Sequence, residues 1–108
     1  MSTALLTDRY ELTMVQAALR SGKSERKTVF EVFTRNLPPG RRYGVFAGAG
    51  RLLSAIQEFK FEKPELEFLQ ANDIIDAETA SWLENFRFSG SILGYREGEL
   101  FFANSPVL

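Results

Sequence analysis

A helix-start signal near the beginning of the chain fixes its first structural element. Asp8 stands three residues before Glu11, the spacing of a capping box, in which each side chain accepts a hydrogen bond from the other residue's backbone N–H. Apolar residues then recur at helical spacing, and Gly22 lies where a left-handed residue commonly ends a helix. The pattern predicts an amphipathic helix over residues 9–21, with Asp8 as its N-cap and Tyr10 in its first turn.

Tyr10 admits two interpretations. The backbone N–H groups of a first turn and the helix dipole favour an anion, so the tyrosine ring can stand beside a bound anionic or electron-poor group. An aromatic side chain at this position also commonly wedges a helix against a sheet. The residues alone favour the packing role.

Composition narrows the class of protein and its chemistry. The chain has 108 residues, 44% of them hydrophobic, which suits one globular domain over residues 1–108. Thirteen basic and fourteen acidic residues give a net charge of −1, which argues against a general nucleic-acid or membrane-surface role. Histidine and cysteine are absent, so we expect no metal site and no catalytic residue in this chain. No signal peptide or membrane span is recognisable, and we expect a cytoplasmic protein.

Three further helices are predicted from apolar residues at helical spacing. They are expected over residues 48–58, 64–71 and 77–85. Pro64 suits the start of a helix because its missing N–H would have no partner there, and Asp76 suits the N-cap of the last helix. Leu52, Leu53 and Ile56 are expected to form the buried stripe of the helix over 48–58.

Strands are predicted before and after these helices. Residues 28–35 are β-branched and aromatic, and the prolines that follow end the strand. Residues 91–95 and 99–103 have the pattern of a β-hairpin whose turn contains Gly98. The predicted class is therefore α+β, with helices packed on a small mixed or antiparallel sheet.

Three arginines surround one predicted turn. Arg35 ends the first strand, and Arg41 and Arg42 follow the prolines. Guanidinium groups bind phosphate through bidentate, charge-assisted hydrogen bonds, so this loop can hold a phosphate. Arg41 and Arg42 can equally form a solvated loop surface, and Arg35 is the stronger candidate. The glycines of residues 43–50 match no nucleotide-binding loop and are expected to permit close packing.

Three segments in order resemble a known family. They are TDRYELTM at residues 7–14, FEVFTRNLP at 30–38 and YGVFAG at 43–48. They closely resemble the N-terminal portion of nicotinate phosphoribosyltransferases of the type II phosphoribosyltransferase family, in an actinobacterial-like form, and the resemblance extends over nearly the whole chain. Members of that family are several times longer, so we expect a fragment without the family's α/β barrel domain.

The resemblance implies an enzyme of NAD salvage. Such enzymes join nicotinate to 5-phosphoribosyl-1-pyrophosphate, use ATP and Mg²⁺ and form homodimers with a shared active site. By resemblance, Tyr10 stacks on the pyridine ring in the partner subunit's site, Asp8 lies beside it, and Arg35 reaches toward a phosphate. Arg41 and Arg42 are candidates for further phosphate contacts. The phosphohistidine and the barrel lie outside these residues, so the isolated chain is expected to be inactive.

Two alternatives stay open. A nicotinamide phosphoribosyltransferase shares the Asp-Xaa-Tyr element, although the segments at 35–38 and 43–48 favour the nicotinate enzyme. A non-catalytic binding or assembly module that uses an exposed hairpin edge would also lack histidine. Residues 102–106 read FANSP, where relatives commonly have a Pro-Gly pair before the matching proline, so the local turn there is expected to differ.

Overall fold

A computed structural model describes residues 3–108, in which the chain divides into two compact units. The first unit combines the residues up to Lys27 with Gln57–Phe88, and the second combines Thr28–Ile56 with Ser89–Leu108. The elements in chain order are α1 (Arg9–Arg20), β1 (Gly44–Val45), α2 (Ala49–Gln57), α3 (Lys63–Ala71), α4 (Ala77–Asn85) and β2 (Leu100–Phe101). The α+β class is confirmed, and a single domain over 1–108 stays a prediction.

Helices α1, α3 and α4 enclose the core of the first unit. Contacts join α3 to α4 and α1 to α4. The buried core residues are Ala4, Leu12, Phe61, Leu66, Leu69, Ile75, Ala80 and Leu83. Leu69 and Leu83 are only 1% and 2% exposed, and burying each side chain contributes about 1.5–3 kcal/mol. The apolar faces predicted for these helices therefore form one core.

The end of α1 is as predicted, but its start is not. Gly22 has a φ of +66° and donates to the Leu19 carbonyl, while Lys23 donates to the Ala18 carbonyl, so a Schellman motif ends the helix. At the start, the Asp8 side chain makes no capping hydrogen bond. The predicted capping box is wrong because the Glu11 N–H donates to the Asp8 backbone carbonyl, at 3.1 Å, instead. Asp8 keeps the extended backbone of an N-cap residue.

A polar network joins α1 to the start of α4. Asp76 caps α4 as predicted, accepting from the Thr79 N–H at 2.8 Å. The Asp76 N–H donates to Gln16 Oε1 at 2.6 Å, and Arg20 Nη2 lies 2.8 Å from Asp76 Oδ2. Hydrogen bonds from the side chain and N–H of Thr79, with the neighbouring Arg20, lower the pKa of Asp76 to about 2. The network fixes the position of α4 against α1.

The prediction of a regular strand over residues 28–35 is wrong, because only Phe33 of this segment forms a β-bridge. Val32 pairs with the last two residues of the sequence through two backbone hydrogen bonds. The Val107 N–H donates to the Val32 carbonyl at 2.8 Å, and the Val32 N–H donates to a backbone oxygen of Leu108 at 3.2 Å. Next to this pairing lies an isolated antiparallel bridge of Phe33 with Pro106. The Val107 carbonyl accepts from the Tyr95 N–H rather than from Val32, so the regular ladder is interrupted and the segment stays extended without becoming a full strand.

The predicted hairpin of residues 91–95 with 99–103 is also wrong. Its turn exists, since Gly98 has a φ of +86°, but β2 pairs with β1 in antiparallel register, Gly44 opposite Phe101. A Cβ on Gly44 would lie 2.6 Å from Phe101 Cε1, so any side chain at this position would have to displace the Phe101 ring. The close packing expected for the glycines of residues 43–50 therefore holds at Gly44, which gives β2 a distant partner, but not at Gly48 or Gly50, where an added Cβ would meet nothing within 4 Å.

A carboxylate from the 96–99 turn holds the start of α2. Glu97 Oε1 accepts from the Gly48 N–H at 2.6 Å, and Oε2 accepts from the Ala49 N–H at 2.9 Å. Leu52 and Leu53 of α2 are 39% and 47% exposed, so the predicted buried stripe is wrong. The Glu97 contact, a cap supplied from a distant segment, therefore fixes this helix more than its apolar face does.

Candidate functional site

The first turn of α1 presents Tyr10 and Asp8 at the surface. Tyr10 is 59% exposed, and Asp8 is exposed with no capping role for its carboxylate. The Thr13 hydroxyl donates to the Tyr10 carbonyl at 3.0 Å, which ties down the backbone of this turn. A wedge against a sheet would bury most of the ring, so the packing interpretation of Tyr10 does not describe this geometry. The ring and the carboxylate are both accessible to a ligand.

The arginine loop, Arg35 with Arg41 and Arg42, lies in the second unit. All three side chains are exposed, and a turn closed by the Arg41 N–H and the Pro38 carbonyl at 3.0 Å carries two of them. Within residues 3–108 none of the three guanidinium groups has an acidic partner. These cations are therefore available to an external anion.

Arg35 differs from the other two arginines in its backbone support. The carbonyl of the preceding residue, Thr34, accepts from the Asn104 N–H at 2.8 Å. Arg41 and Arg42 instead follow Gly40, whose φ of +82° marks a turn. A side chain on an anchored backbone loses less entropy when it orders around a ligand. The geometry therefore favours Arg35 for a specific phosphate contact.

The sequence-predicted site residues fall into two groups. Asp8 and Tyr10 share one helical turn of the first unit, whereas the arginine loop belongs to the second unit. In the part of the chain that is described, no cluster of three acidic side chains could hold a metal ion.

A cavity in the first unit was not anticipated from the sequence. It has a volume of about 390 Å³ and opens beside the first turn of α1. Its walls are Thr3, Ala4, Leu6, Thr7, Glu11, Leu12, Val15, Phe59, Phe61, Trp82, Leu83 and Phe86. We call it the aromatic cavity. Its four aromatic residues come from two segments, 59–61 and 82–86, which only the tertiary fold brings together.

The family model that describes the nicotinate phosphoribosyltransferase (NAPRTase) N-terminal domain matches residues 5–108. Nicotinate phosphoribosyltransferase pncB1 of Mycobacterium tuberculosis is 57% identical over 96% of this chain and 23% of its own length. The pncB2 protein of the same organism is 37% identical over 97% of this chain and 22% of its own length. Nicotinate phosphoribosyltransferase of Bacillus subtilis is 36% identical over 99% of this chain and 22% of its own length.

The chain thus spans less than a quarter of the length of these curated relatives. The matched part is their N-terminal domain. No helix within residues 3–108 is long and apolar enough to cross a membrane.

Proposed function

The chain belongs to the nicotinate phosphoribosyltransferase family as its N-terminal domain, and we propose that the full-length protein transfers the phosphoribosyl group of 5-phosphoribosyl-1-pyrophosphate to nicotinate. The observation that carries this proposal is the exposed Tyr10 ring beside an Asp8 carboxylate that caps nothing. Neither side chain is used by the fold in the way that its position would predict. Both are therefore assigned to the substrate.

Tyr10 positions the flat ring of the substrate. Stacking fixes the plane of the pyridine ring, so that its nitrogen can approach the ribosyl carbon in line with the departing pyrophosphate. The transition state resembles an oxocarbenium ion. Aligning the two substrates and binding the phosphates therefore supply most of the transition-state stabilisation. Asp8, in the same turn, is placed to limit how the ring rotates in its plane.

Arg35 is the proposed phosphate contact, with Arg41 and Arg42 as further contacts. An unpaired guanidinium group presents two parallel N–H donors to phosphate oxygens, and this geometry matches a phosphate better than a lysine does. The support is their exposure and the lack of acidic partners among residues 3–108.

The remaining parts of the activity are assigned outside this domain. We infer a homodimer in which Tyr10 and Asp8 enter the partner's site, with ATP and Mg²⁺ bound by residues beyond those described. Histidine is absent from the chain, so a phosphorylated histidine must come from elsewhere in the polypeptide. The proposed location is the cytoplasm, where a chain without cysteine needs no oxidising environment. The 108-residue chain alone is expected to form no nicotinate mononucleotide.

Tyr10→Ala in the full-length protein tests the substrate role. Loss of stacking should weaken transition-state and nicotinate binding by about 1–3 kcal/mol, and Tyr10→Phe should keep most of it. Met14→Ala is the matched control, because Met14 is another exposed side chain, 62%, one turn along α1. Steady-state kinetics with nicotinate varied give the answer. If kcat and KM of Tyr10→Ala equal those of Met14→Ala, the proposed role of Tyr10 is wrong.

Two further measurements separate the parts of the proposal. Competition between nicotinate and nicotinamide for the full-length enzyme distinguishes the two related activities. Mixing Tyr10→Ala subunits with subunits inactivated in the barrel tests the shared site, because only a site built from two subunits regains activity in mixed dimers. Arg35→Ala should raise KM for 5-phosphoribosyl-1-pyrophosphate and leave KM for nicotinate unchanged. A loss of thermal stability with unchanged KM would show a structural role instead.

A further inference from the structure

The aromatic cavity has the size and walls of a small-molecule site. Its volume of about 390 Å³ lies in the range of about 300–1,000 Å³ that ligand pockets occupy. Its four aromatic residues form a chain of ring contacts: Phe59 meets Phe61 edge-on at 5.6 Å and Phe86 edge-on at 6.2 Å. Trp82 meets Phe86 at 5.4 Å. Rings held by one another in this way offer a fixed aromatic wall to a ligand ring.

Glu11 gives this apolar cavity its one charged wall residue among those described. Its carboxylate has no hydrogen-bond donor or cationic partner within residues 3–108. Thr3 and Thr7 supply the other polar side chains of the wall, and no lysine or arginine of the described chain lines it. The negative charge of the carboxylate attracts a cation, and the electron-rich faces of the neighbouring rings attract it as well.

We propose that the aromatic cavity binds a small aromatic amine, with its ring against Phe59, Phe86 and Trp82 and its ammonium group at the Glu11 carboxylate. The same charge disfavours an aromatic acid, so an amine should bind this site more tightly than nicotinate does, and Tyr10 is not part of the cavity wall. The cavity is therefore distinct from the proposed substrate position at Tyr10, and its occupancy can be tested without any assay of transferase activity.

The test compares three probes of one shape in the full-length protein. Phenethylamine is the cation, 2-phenylethanol the neutral analogue and 3-phenylpropionate the anion, each titrated by ligand-observed NMR. Phenethylamine should bind about fivefold more tightly than 2-phenylethanol, and 3-phenylpropionate more weakly than either. Glu11→Gln should remove the preference for the amine over the alcohol. Glu78→Gln, which removes a carboxylate from the first turn of α4 that does not line the cavity, should leave it unchanged.

A second variant locates the site. Val15→Phe places a larger side chain in the cavity wall and should abolish binding of both phenethylamine and 2-phenylethanol. Thr7→Leu enlarges another wall residue and serves the same purpose if Val15→Phe does not fold. Equal affinity for the three probes, a preference that survives Glu11→Gln, or no binding up to the solubility limit would each overturn the proposal. None of these results depends on whether the protein uses nicotinate.

Discussion

Glu97→Ala should loosen the start of α2. In the structure the two oxygens of this carboxylate accept from the Gly48 and Ala49 N–H groups at 2.6 and 2.9 Å. No residue of α2 is buried, so packing of the helix offers little compensation. The substitution leaves two first-turn donors to water and removes a negative charge from the positive end of the helix dipole.

The expected cost follows from these two contributions. Replacing a capping side chain by alanine costs about 1 kcal/mol, and a charge at an exposed helix end contributes about 0.5 kcal/mol. The sum of about 1.5 kcal/mol corresponds to roughly tenfold in an opening equilibrium. Glu97→Gln keeps one acceptor and loses the charge, so it should fall about midway between wild type and Glu97→Ala.

Amide hydrogen exchange is the direct assay, since it measures local opening. Exchange at the α2 amides, Leu52 among them, should become roughly tenfold faster in Glu97→Ala. Glu31→Ala is the matched control, because Glu31 is an exposed acid of the same unit whose side chain has no hydrogen-bond partner within residues 3–108. Unchanged exchange in α2, or equal acceleration in Glu31→Ala, would refute the capping role of Glu97.

Three other predictions concern stability. The pKa of Asp76 is lowered from 3.8 to about 2, so its stabilising effect is fully present above about pH 3.8 and is lost as the pH falls through about 2. Asp76→Asn should remove this pH dependence from melting temperatures measured across the same range. Gly94→Ala would put a Cβ 2.5 Å from the Val107 carbonyl oxygen, and urea unfolding should show a loss of about 1–3 kcal/mol. Asn104 has a φ of +64°, so Asn104→Ala should cost about 1 kcal/mol, and Asn104→Gly should cost less in the same assay.

Local signals in the sequence predicted the helices well. All four occur within one or two residues of their expected bounds, and the stop at Gly22 and the cap at Asp76 are as predicted. These features depend on neighbours three or four positions away, which the sequence displays directly. The capping box assigned to Asp8 failed for a related reason. The Glu62 N–H donates to the Glu65 carboxylate at 2.7 Å, so the same spacing is used at α3, and spacing alone does not say which site uses it.

The sheet was poorly predicted because its pairings are distant in sequence. β2 finds β1 rather than its neighbour across the Gly98 turn, and Val107 is shared between Val32 and Tyr95 through backbone hydrogen bonds. Nothing in the local pattern of residues 91–95 encodes that choice. The close approach of Gly44 to Phe101 does, but only the folded chain shows it.

The candidate site shows the same division. Residue types and the family resemblance pointed to Asp8, Tyr10 and Arg35, and all three are exposed in the structure. Their roles stay predictions. The preference of the residues alone for Tyr10 as a packing wedge is not met within residues 3–108, where Tyr10 is 59% exposed. The aromatic cavity could not be predicted, because its walls are assembled from segments on either side of an intervening unit.

The interleaving of the two units has a consequence for how the chain is made. Residues of the first unit surround Thr28–Ile56 in sequence, and the segments of this stretch that precede α2 obtain their sequence-distant backbone partners from residues 89–108. On the ribosome the first unit has all of its residues once Phe88 has emerged, while the segment that contains Val29 and Phe30 still lacks its partners in residues 89–108. Val29 and Phe30 stay 91% and 86% exposed even after those partners have emerged. Synthesis thus passes through a stage in which an apolar, unpaired segment is tethered between two folded parts, the kind of segment that chaperones bind.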